Sequence, residues 1–360
     1  MRSIGLHLVL FAVASGLGFR AWTAEDEPNN AAVAAEVWSG RLSDLQRIEF
    51  KTDKKVVVLE PKEDASGRYY VGTIETKASP PSTAVGADAG AAAPTAADDG
   101  HGHGANPHGA PPTPPVVEEG TKRFVSLTKS EDLAKSLSSL RVSRVLGKLS
   151  KERLADFGLD KNDQGTVEVL VAGKKHTLQL GEKTPGGSDR YVQDPETGEA
   201  YVMAGSIAND LQSADSRLIE RDFHDFGEEK LGKVVLEAGG KRREIVRHGD
   251  EKDFWSRPES AETKDETVSN WMTKIDRLRV TNYVETPEPA PKPEDLVARI
   301  EYQGANGKVL GFLELARQPA ADAKDKTEYL ARSERTRWYA TVLRSTAEQI
   351  DQDLASVMAQ

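Results

Sequence analysis

Three histidines lie close together in the chain, at His101, His103 and His108. Imidazole nitrogens bind nickel, copper and zinc, so this cluster suggests a site for a late transition metal. The surrounding stretch, GHGHGANPHGAPPTPP, is mostly glycine, proline and alanine, and it offers no second shell to orient the ligands. We therefore interpret the tract as a polar spacer and predict no metal site, and the three histidines remain weak candidate ligands.

Another histidine, His224, lies between Asp222 and Asp225 in the stretch RDFHDFGEE. A histidine beside an orienting carboxylate can act as a general base. The phenylalanines of the same stretch, Phe223 and Phe226, instead indicate a connection that packs its rings inward and turns its polar residues to water. We favour the connection, and we keep a hydrolase that uses His224 as the third of three functions.

The glycine-rich stretch GEKTPGGSDR carries Lys183 and Arg190 and could suggest a phosphate cradle. It lacks the Gly-Lys-Ser/Thr ending of a P-loop, and it joins two predicted strands rather than opening a helix. We interpret it as a plain loop. The chain also has no Gly-x-Ser-x-Gly and no His-Glu-x-x-His sequence. The sequence therefore predicts no catalytic residue, no cofactor and no enzymatic activity.

Two groups of basic residues lie in or beside predicted hairpins. They could face an anionic partner, such as a lipid headgroup or a cell-wall polymer. Basic side chains also solvate strand faces and protect sheet edges, and we favour this second interpretation. The candidate interaction residues are Lys241, Arg242, Arg243, Arg332, Arg335 and Arg337.

The composition restricts the classes of function. The chain has 360 residues, a net charge of -10, and no cysteine. Disulfides, thiol nucleophiles and cysteine metal sites are therefore excluded. Nucleic-acid binding usually needs a basic patch or stripe, so the acidic balance predicts no nucleic-acid partner.

The first residues, MRSIGLHLVLFAVASGLGFRAW, form an apolar run between Arg2 and Arg20. The run lies between a signal-peptide core and a full membrane span in length, and no small-x-small cleavage site follows it. We expect an uncleaved signal anchor over residues 1–24, single-pass in the inner membrane, with the bulk of the chain in the periplasm. The alternative is a cleaved signal peptide and a protein secreted to the periplasm.

Two segments predict little structure of their own, an acidic stalk at 25–36 and an insertion rich in alanine, glycine and proline at 77–120. The other segments alternate between strand and helix patterns. A helix is expected from an N-cap at Ser130, with Leu133, Leu137 and Leu140 on one face. A short second helix should begin after a serine N-cap and stop at a glycine, in the stretch SKERLADFGLD. The stretch TVEVLVAGKKHTLQLG predicts a hairpin.

The order of helix, hairpin, hairpin and helix occurs twice. Leu140-Arg141-Val142 returns as Leu278-Arg279-Val280, and the same offset of 138 relates Tyr191 to Tyr329 and Tyr201 to Tyr339. The strand-rich opening repeats too, with Leu45 matched to Leu231. These patterns predict an α+β fold of two tandem duplicated modules, 37–222 and 223–360, built from antiparallel β-hairpins with packed amphipathic helices.

Four short motifs occur in the first module: Phe157-Gly158-Leu159-Asp160, Leu180 to Pro185, Tyr191-Val192 and Ala200-Tyr201-Val202. Together they resemble the bacterial domain-of-unknown-function family DUF4340, which is associated with gliding-motility-type ABC transporter systems. The resemblance is clearest over 137–222 and weaker over 37–76 and 223–360, and the long insertion departs from the pattern. It implies an N-terminal anchor and an envelope protein, and it carries over no catalytic residue.

We expect a membrane-anchored extracytoplasmic interaction protein. Its expected partners are the membrane, through the N-terminal helix, and the membrane subunits of an ABC transporter. The alternative is a binding protein that holds an extracytoplasmic ligand, such as a polysaccharide or another cell-envelope polymer, between its two modules.

Overall fold

The structure is a computed structural model that describes residues 35–77, 120–227, 230–248, 254–284, 291–319 and 327–359. The described chain mixes helices with sheets whose paired strands are antiparallel, as predicted. The expected anchor at 1–24, the stalk up to residue 34, and the tract with His101, His103 and His108 lie outside the described residues. Among the described helices, none has the length and apolar character needed to cross a membrane.

A nine-stranded sheet contains most of the first half of the chain, in the order β5-β4-β3-β2-β8-β9-β10-β11-β7, and β1 pairs with β6 beside it. The strands are β1 (Ala35–Trp38), β2 (Leu45–Lys51), β3 (Lys55–Asp64), β4 (Gly67–Thr76), β5 (Gly120–Ser126), β6 (Leu140–Val142), β7 (Arg144–Lys148), β8 (Thr166–Val171), β9 (Lys174–Lys183), β10 (Arg190–Gln193) and β11 (Glu199–Met203).

An eight-stranded sheet contains the second half, in the order β14-β13-β12-β16-β17-β18-β19-β15. Its strands are β12 (Leu231–Ala238), β13 (Lys241–His248), β14 (Phe254–Ser256), β15 (Val280–Val284), β16 (Leu296–Gly304), β17 (Val309–Pro319), β18 (Thr327–Ser333) and β19 (Tyr339–Val342). The central strands β2 and β12 begin alike, because each has a bulge directly after its first residue, Leu45 and Leu231.

Six helices accompany the sheets in the described residues. They are α1 (Thr128–Ser138), α2 (Lys151–Asp156), α3 (Gly205–Gln212), α4 (Ala214–Arg217), α5 (Glu266–Asp276) and α6 (Arg344–Ala359). Helix α1 buries Leu133 and Leu137 against the first sheet, and the fully buried Trp271 of α5 donates its indole N–H to the carbonyl of Ile350 in α6 at 3.0 Å. Amphipathic spacing therefore does produce the core faces that the sequence predicts.

The β8–β9 hairpin shows how local sequence sets the sheet. Val167, Val169 and Val171 alternate with half-buried residues and are themselves buried, as expected for a strand with one covered face. Ala172 and Gly173 both have positive φ angles, 50° and 76°. Two such residues form the tight turn whose twist matches that of antiparallel strands.

The described residues 218–227, which we call the connector, lie between the two sheets and join their facing edges. The N–H of Glu220 donates to the carbonyl of Val125 in β5 at 2.9 Å, and the N–H of Val280 in β15 donates to the carbonyl of Arg221 at 3.1 Å. The hydroxyl of Tyr283 also donates to the carbonyl of Glu220, at 3.0 Å. The connector thus covers β5 and β15, and it leaves β7 and β14 as the outer ends of the two sheets.

The structure corrects three details of the sequence analysis. Helix α1 begins two residues before Ser130, which is buried and donates its hydroxyl to that of Ser126 at 2.6 Å rather than capping the helix. The expected helix ends before Leu140, which lies in β6. The last two residues of the expected stalk, Ala35 and Glu36, lie in β1.

The offset of 138 does not hold for the tyrosines. Tyr201 lies opposite the fully buried Val192 and belongs to the core of the first sheet. Tyr339 instead lies on the outer face of the second sheet, where its hydroxyl donates to Glu314 at 3.4 Å. Ser143 donates to the carbonyl of Val202 and Thr281 to that of Thr341, so the hairpins correspond at an offset one residue longer.

Candidate functional site

Helix α2 positions the first wall of a groove on the outer face of the first sheet. Ser150 precedes the helix in an extended conformation, as expected for an N-cap residue. Gly158 ends it with a φ of 63°, a conformation that favours glycine. The chain then turns inward and buries Leu159, which leaves the half-buried ring of Phe157 facing the neighbouring strands.

Close backbone contact holds this wall against β9. The N–H of Glu182 donates to the carbonyl of Phe157 at 2.9 Å. A Cβ atom on Gly181 would lie 2.4 Å from that same carbonyl oxygen, and one on Gly158 would lie 2.6 Å from the side chain of Glu182. Two glycines of the family-like motifs are therefore required for α2 to approach the sheet.

The turn at 184–189 forms the second wall. The N–H of Thr184 donates to the carbonyl of Asp189 at 2.8 Å and closes the turn. The carboxylate of Asp189 then accepts from the hydroxyl of Ser143 at 3.3 Å and from the N–H of Gly205 at 3.4 Å. The turn is thus tied to the start of β7 and to the start of α3.

Between these walls lies a groove of about 510 Å³, which we call the β7 groove. Its floor carries the rings of Phe157 and Tyr191, whose centroids are 4.4 Å apart, and the guanidinium of Arg153 lies 5.5 Å from the ring of Phe157. The lining residues are Ser143, Arg144, Leu146, Arg153, Phe157, Thr184, Pro185, Asp189, Tyr191 and Val202.

The charges of the β7 groove are only partly compensated. The carboxylate of Asp189 already accepts hydrogen bonds from Ser143 and from the N–H of Gly205. Arg144 and Arg153 are exposed, and neither has an acidic partner among the residues that the structure describes. An aromatic floor beside arginines that lack acidic partners within the described residues is suited to binding, because rings supply apolar contact area and arginine supplies charge-assisted hydrogen bonds.

The basic residue of the glycine-rich stretch, Arg190, points away from this groove. It is buried and donates to the amide oxygens of Gln164 at 3.0 Å and Gln212 at 2.9 Å, and to the carbonyl of Gly181 at 3.0 Å. Burial lowers the pKa of Arg190 below its ordinary value. This guanidinium ties β10 to α3, so the interpretation of 181–190 as a loop, rather than a phosphate cradle, agrees with its position.

The six basic interaction candidates differ in their surroundings. Four are held in ion pairs, Arg243 with Asp265 at 3.0 Å, Arg332 with Glu314 at 2.6 Å, Arg335 with Glu220 at 2.9 Å, and Arg337 with Asp64 at 3.1 Å. Lys241 and Arg242 are exposed and line a wider groove of about 840 Å³ beside the C-terminal end of α6. Arg242 forms a fifth ion pair, with Glu244 at 3.2 Å, so five of the six candidates have an acidic partner within the chain.

His224 lies in the connector, as its sequence suggests, and it has a carboxylate partner that the sequence did not indicate. Its Nδ1 is 3.2 Å from Oε1 of Glu334, not from Asp222 or Asp225, and its ring packs on Phe226 and Tyr302. The other carboxylate oxygen of Glu334 accepts the N–H of Phe312 at 2.7 Å. The Nε2 atom of His224 is buried and has no hydrogen-bond partner within the described chain.

The β7 groove was not predicted as a site from the sequence. Phe157, the Leu180 to Pro185 segment and Tyr191 were each recognised, but as separate turns and strand starts. The structure brings them together, with Arg144 and Leu146 from a strand that precedes them. The signal that could have revealed the groove is the pair of aromatic residues within motifs that are otherwise made of glycine and turn residues.

Comparisons with known proteins agree with the resemblance of these motifs. No curated protein and no solved structure matches the chain significantly. The family model of DUF4340, described as a domain of unknown function, matches residues 128–298, which include the whole β7 groove. Over these residues the chain is similar to the DUF4340 family.

Proposed function

We propose that this protein is a non-enzymatic, membrane-anchored interaction protein of the cell envelope, which binds a partner protein through the β7 groove. The observation that carries the proposal is the groove itself, where Phe157 and Tyr191 form an apolar floor and Arg144 and Arg153 lack acidic partners in the described chain. Exposed aromatic rings and arginines are the residues that dominate protein interfaces.

In this proposal the chain consists of two duplicated modules, 37–222 and 223–360, that follow a signal anchor at 1–24. The two sheets support the duplication, because β2, β3, β8, β9, β10 and β11 recur in the same relative order as β12, β13, β16, β17, β18 and β19. The proposed setting is the inner membrane, with the modules in the periplasm. The proposed partner is a membrane subunit of an ABC-type transporter, as the family resemblance implies.

Site-specific crosslinking tests this function. A photo-crosslinking residue at Thr184, on the rim of the β7 groove, should give an adduct with a transporter subunit in membranes. The same residue at Lys308, in the exposed β16–β17 turn, serves as the control and should give no such adduct. Equal adducts from both positions, or none from Thr184 in repeated trials, would contradict the proposal.

A ligand-binding module is the second candidate, with a polysaccharide as ligand. The space between the sheets is crossed by the 333–338 turn, where Arg337 reaches Asp64, so the groove is the better place for such a ligand. Aromatic floors also bind sugar rings. Retention of the chain on immobilised envelope polysaccharide, lost on Tyr191→Ala, would favour this candidate over the protein partner.

The third candidate is a hydrolase that uses the His224 and Glu334 pair. A general base needs a reachable proton, and Nε2 of His224 is buried among Phe226 and Tyr302. A His224→Ala strain with an unchanged phenotype would remove this candidate.

A further inference from the structure

The outward edge of β7 is unpaired among the described residues. β7 ends the nine-stranded sheet, and β11 pairs along one side of it. The opposite end of the sheet, β5, is covered by the connector through Glu220 and Val125. An unpaired strand edge presents N–H and C=O groups that can accept a further strand from another chain.

The segment directly before β7 already accepts a strand. β1 pairs antiparallel with β6, with Ala35 opposite Val142 and Glu36 opposite Arg141. The carboxylate of Glu36 lies 3.9 Å from the guanidinium of Arg141. The strand that pairs here therefore places an acid beside an arginine of the strand that receives it.

The β7 groove lies beside this edge, which is unpaired within the described residues. Arg144 and Leu146 both line the groove, and Leu146 is the extra residue of a bulge in β7 opposite Ala200 and Tyr201 of β11. A strand added to β7 would place every second side chain over the face that lines the groove. There it would meet Leu146 and the ring pair of Phe157 and Tyr191.

The charges of this face favour an acidic strand. Arg144 and Arg153 line the groove without an acidic partner in the described chain, although the protein as a whole has a net charge of -10. A carboxylate brought to them would form charge-assisted hydrogen bonds, which are stronger than neutral ones. The charge of this face is therefore opposite in sign to the net charge of the protein as a whole.

We propose that β7 binds an extended acidic segment of a partner protein as an added strand. The segment pairs with the outward edge of β7, places a carboxylate at Arg144 and Arg153, and places an apolar side chain against Phe157 and Tyr191. This inference rests on the interaction function proposed above, because it specifies the kind of partner segment that the groove binds. The added strand and the interaction function are tested by different experiments.

The test uses the full chain in detergent and a phage-displayed library of random peptides. Selected peptides should be rich in Asp and Glu that alternate with apolar residues. Their binding should weaken about tenfold or more in an R144E/R153E variant, because each removed attraction is replaced by a repulsion. The matched control is K62E/K308E, which reverses two exposed lysines elsewhere and should leave binding within about twofold.

N-methylation of the peptide tests strand addition directly. Methyl groups on the alternate amides that face β7 should abolish binding, whereas methyl groups on the other set should not. Bound peptide should also slow amide hydrogen exchange at 143–148. Equal binding by R144E/R153E, or equal tolerance of both methylation patterns, would overturn the proposal.

Two further outcomes distinguish an added partner strand from the chain's own segment and from binding without strand addition. If peptide binds only after residues 25–34 are replaced by glycine and serine, the chain's own segment is the occupant of the edge and the partner strand is wrong. If no peptide is selected while crosslinking at Thr184 still captures a transporter subunit, the added strand is wrong and the interaction function stands.

Discussion

Arg337 and Asp64 form an ion pair between the two sheets, with Nε of Arg337 3.1 Å from Oδ2 of Asp64. Arg337 follows β18 of the second sheet, and Asp64 ends β3 of the first. The guanidinium also lies 5.3 Å from the ring of Tyr69, and it donates to the carbonyl of Arg335 at 3.2 Å. Its φ of 58° is unusual for an arginine, so these contacts hold the residue in a strained conformation.

Asp64→Asn should lower the free energy of unfolding by about 1 kcal/mol, because the charge on the largely buried Arg337 then loses its carboxylate. Urea denaturation measures this loss. Asp163→Asn, at an exposed loop position, is the control and should have no measurable effect. A double-mutant cycle with Arg337→Gln should show coupling between the two positions, and additive effects would mean that the pair contributes nothing.

Stability should depend on pH through Asp265. Burial by itself would raise the pKa of Asp265, but hydrogen bonds from the N–H of Val268 and from Arg243 outweigh burial, and the pKa lies below its usual value. A carboxyl with a lowered pKa stabilises the fold above its unfolded pKa of about 4 and loses that contribution as the pH falls through the folded pKa.

The Asp265→Asn variant should therefore be less stable than the parent at pH 7, by about 1 to 2 kcal/mol, and the difference should shrink at pH 3. Asparagine can still cap α5, so the change mainly removes the charge that meets Arg243. Thermal unfolding at the two pH values measures this. A difference that stays constant with pH would show that the carboxylate charge is unimportant.

Gly181→Ala should destabilise the protein by about 1 to 3 kcal/mol, because the new methyl group would lie 2.4 Å from the carbonyl oxygen of Phe157. The change should also weaken partner binding, since α2 and the ring of Phe157 must shift. Gly120→Ala is the matched control, with open space at its Cβ position and no positive φ. Comparable losses of melting temperature in both variants would refute the steric explanation.

Deletion of residues 80–118 should leave the melting temperature unchanged or higher. Thr76 of β4 and Gly120 of β5 are direct ladder partners, so the strands on either side of the insertion meet without it. A shorter connection lowers the entropy cost of closing the loop, and this cost changes slowly with length. The measurement is a thermal melt of both chains, and a fall of several degrees would show that the deleted residues stabilise the sheet.

Local patterns predicted the elements better than they predicted the site. The alternation of Val167, Val169 and Val171 and the turn at Gly173 were confirmed, because strand pairing and turn chemistry act between near neighbours. Ser130 was wrong as an N-cap, since its hydroxyl is used by Ser126 of the preceding strand. Whether a serine hydroxyl binds the helix backbone or another side chain depends on the tertiary structure around it. The spacing of residues along a helix does not specify those surroundings.

The β7 groove depends on still longer-range relationships. Phe157 follows α2 and Tyr191 lies in β10, and their rings meet only because α2 folds back on β9 through Gly158 and Gly181. The partner of His224 is Glu334, 110 residues away, rather than its neighbouring aspartates. Both contacts arise from the order of strands in the sheets, and no local spacing in the sequence specifies that order.

The pairing of β1 with β6 limits how far the protein could extend from a membrane. The proposed anchor ends at residue 24 and β1 begins at Ala35, so residues 25–34 are all that connects them. Ten residues reach at most about 35 Å when fully extended. On that tether the first sheet would remain close to the lipid surface, and β7, which continues from β6, would be within range of the short periplasmic loops of a neighbouring membrane protein.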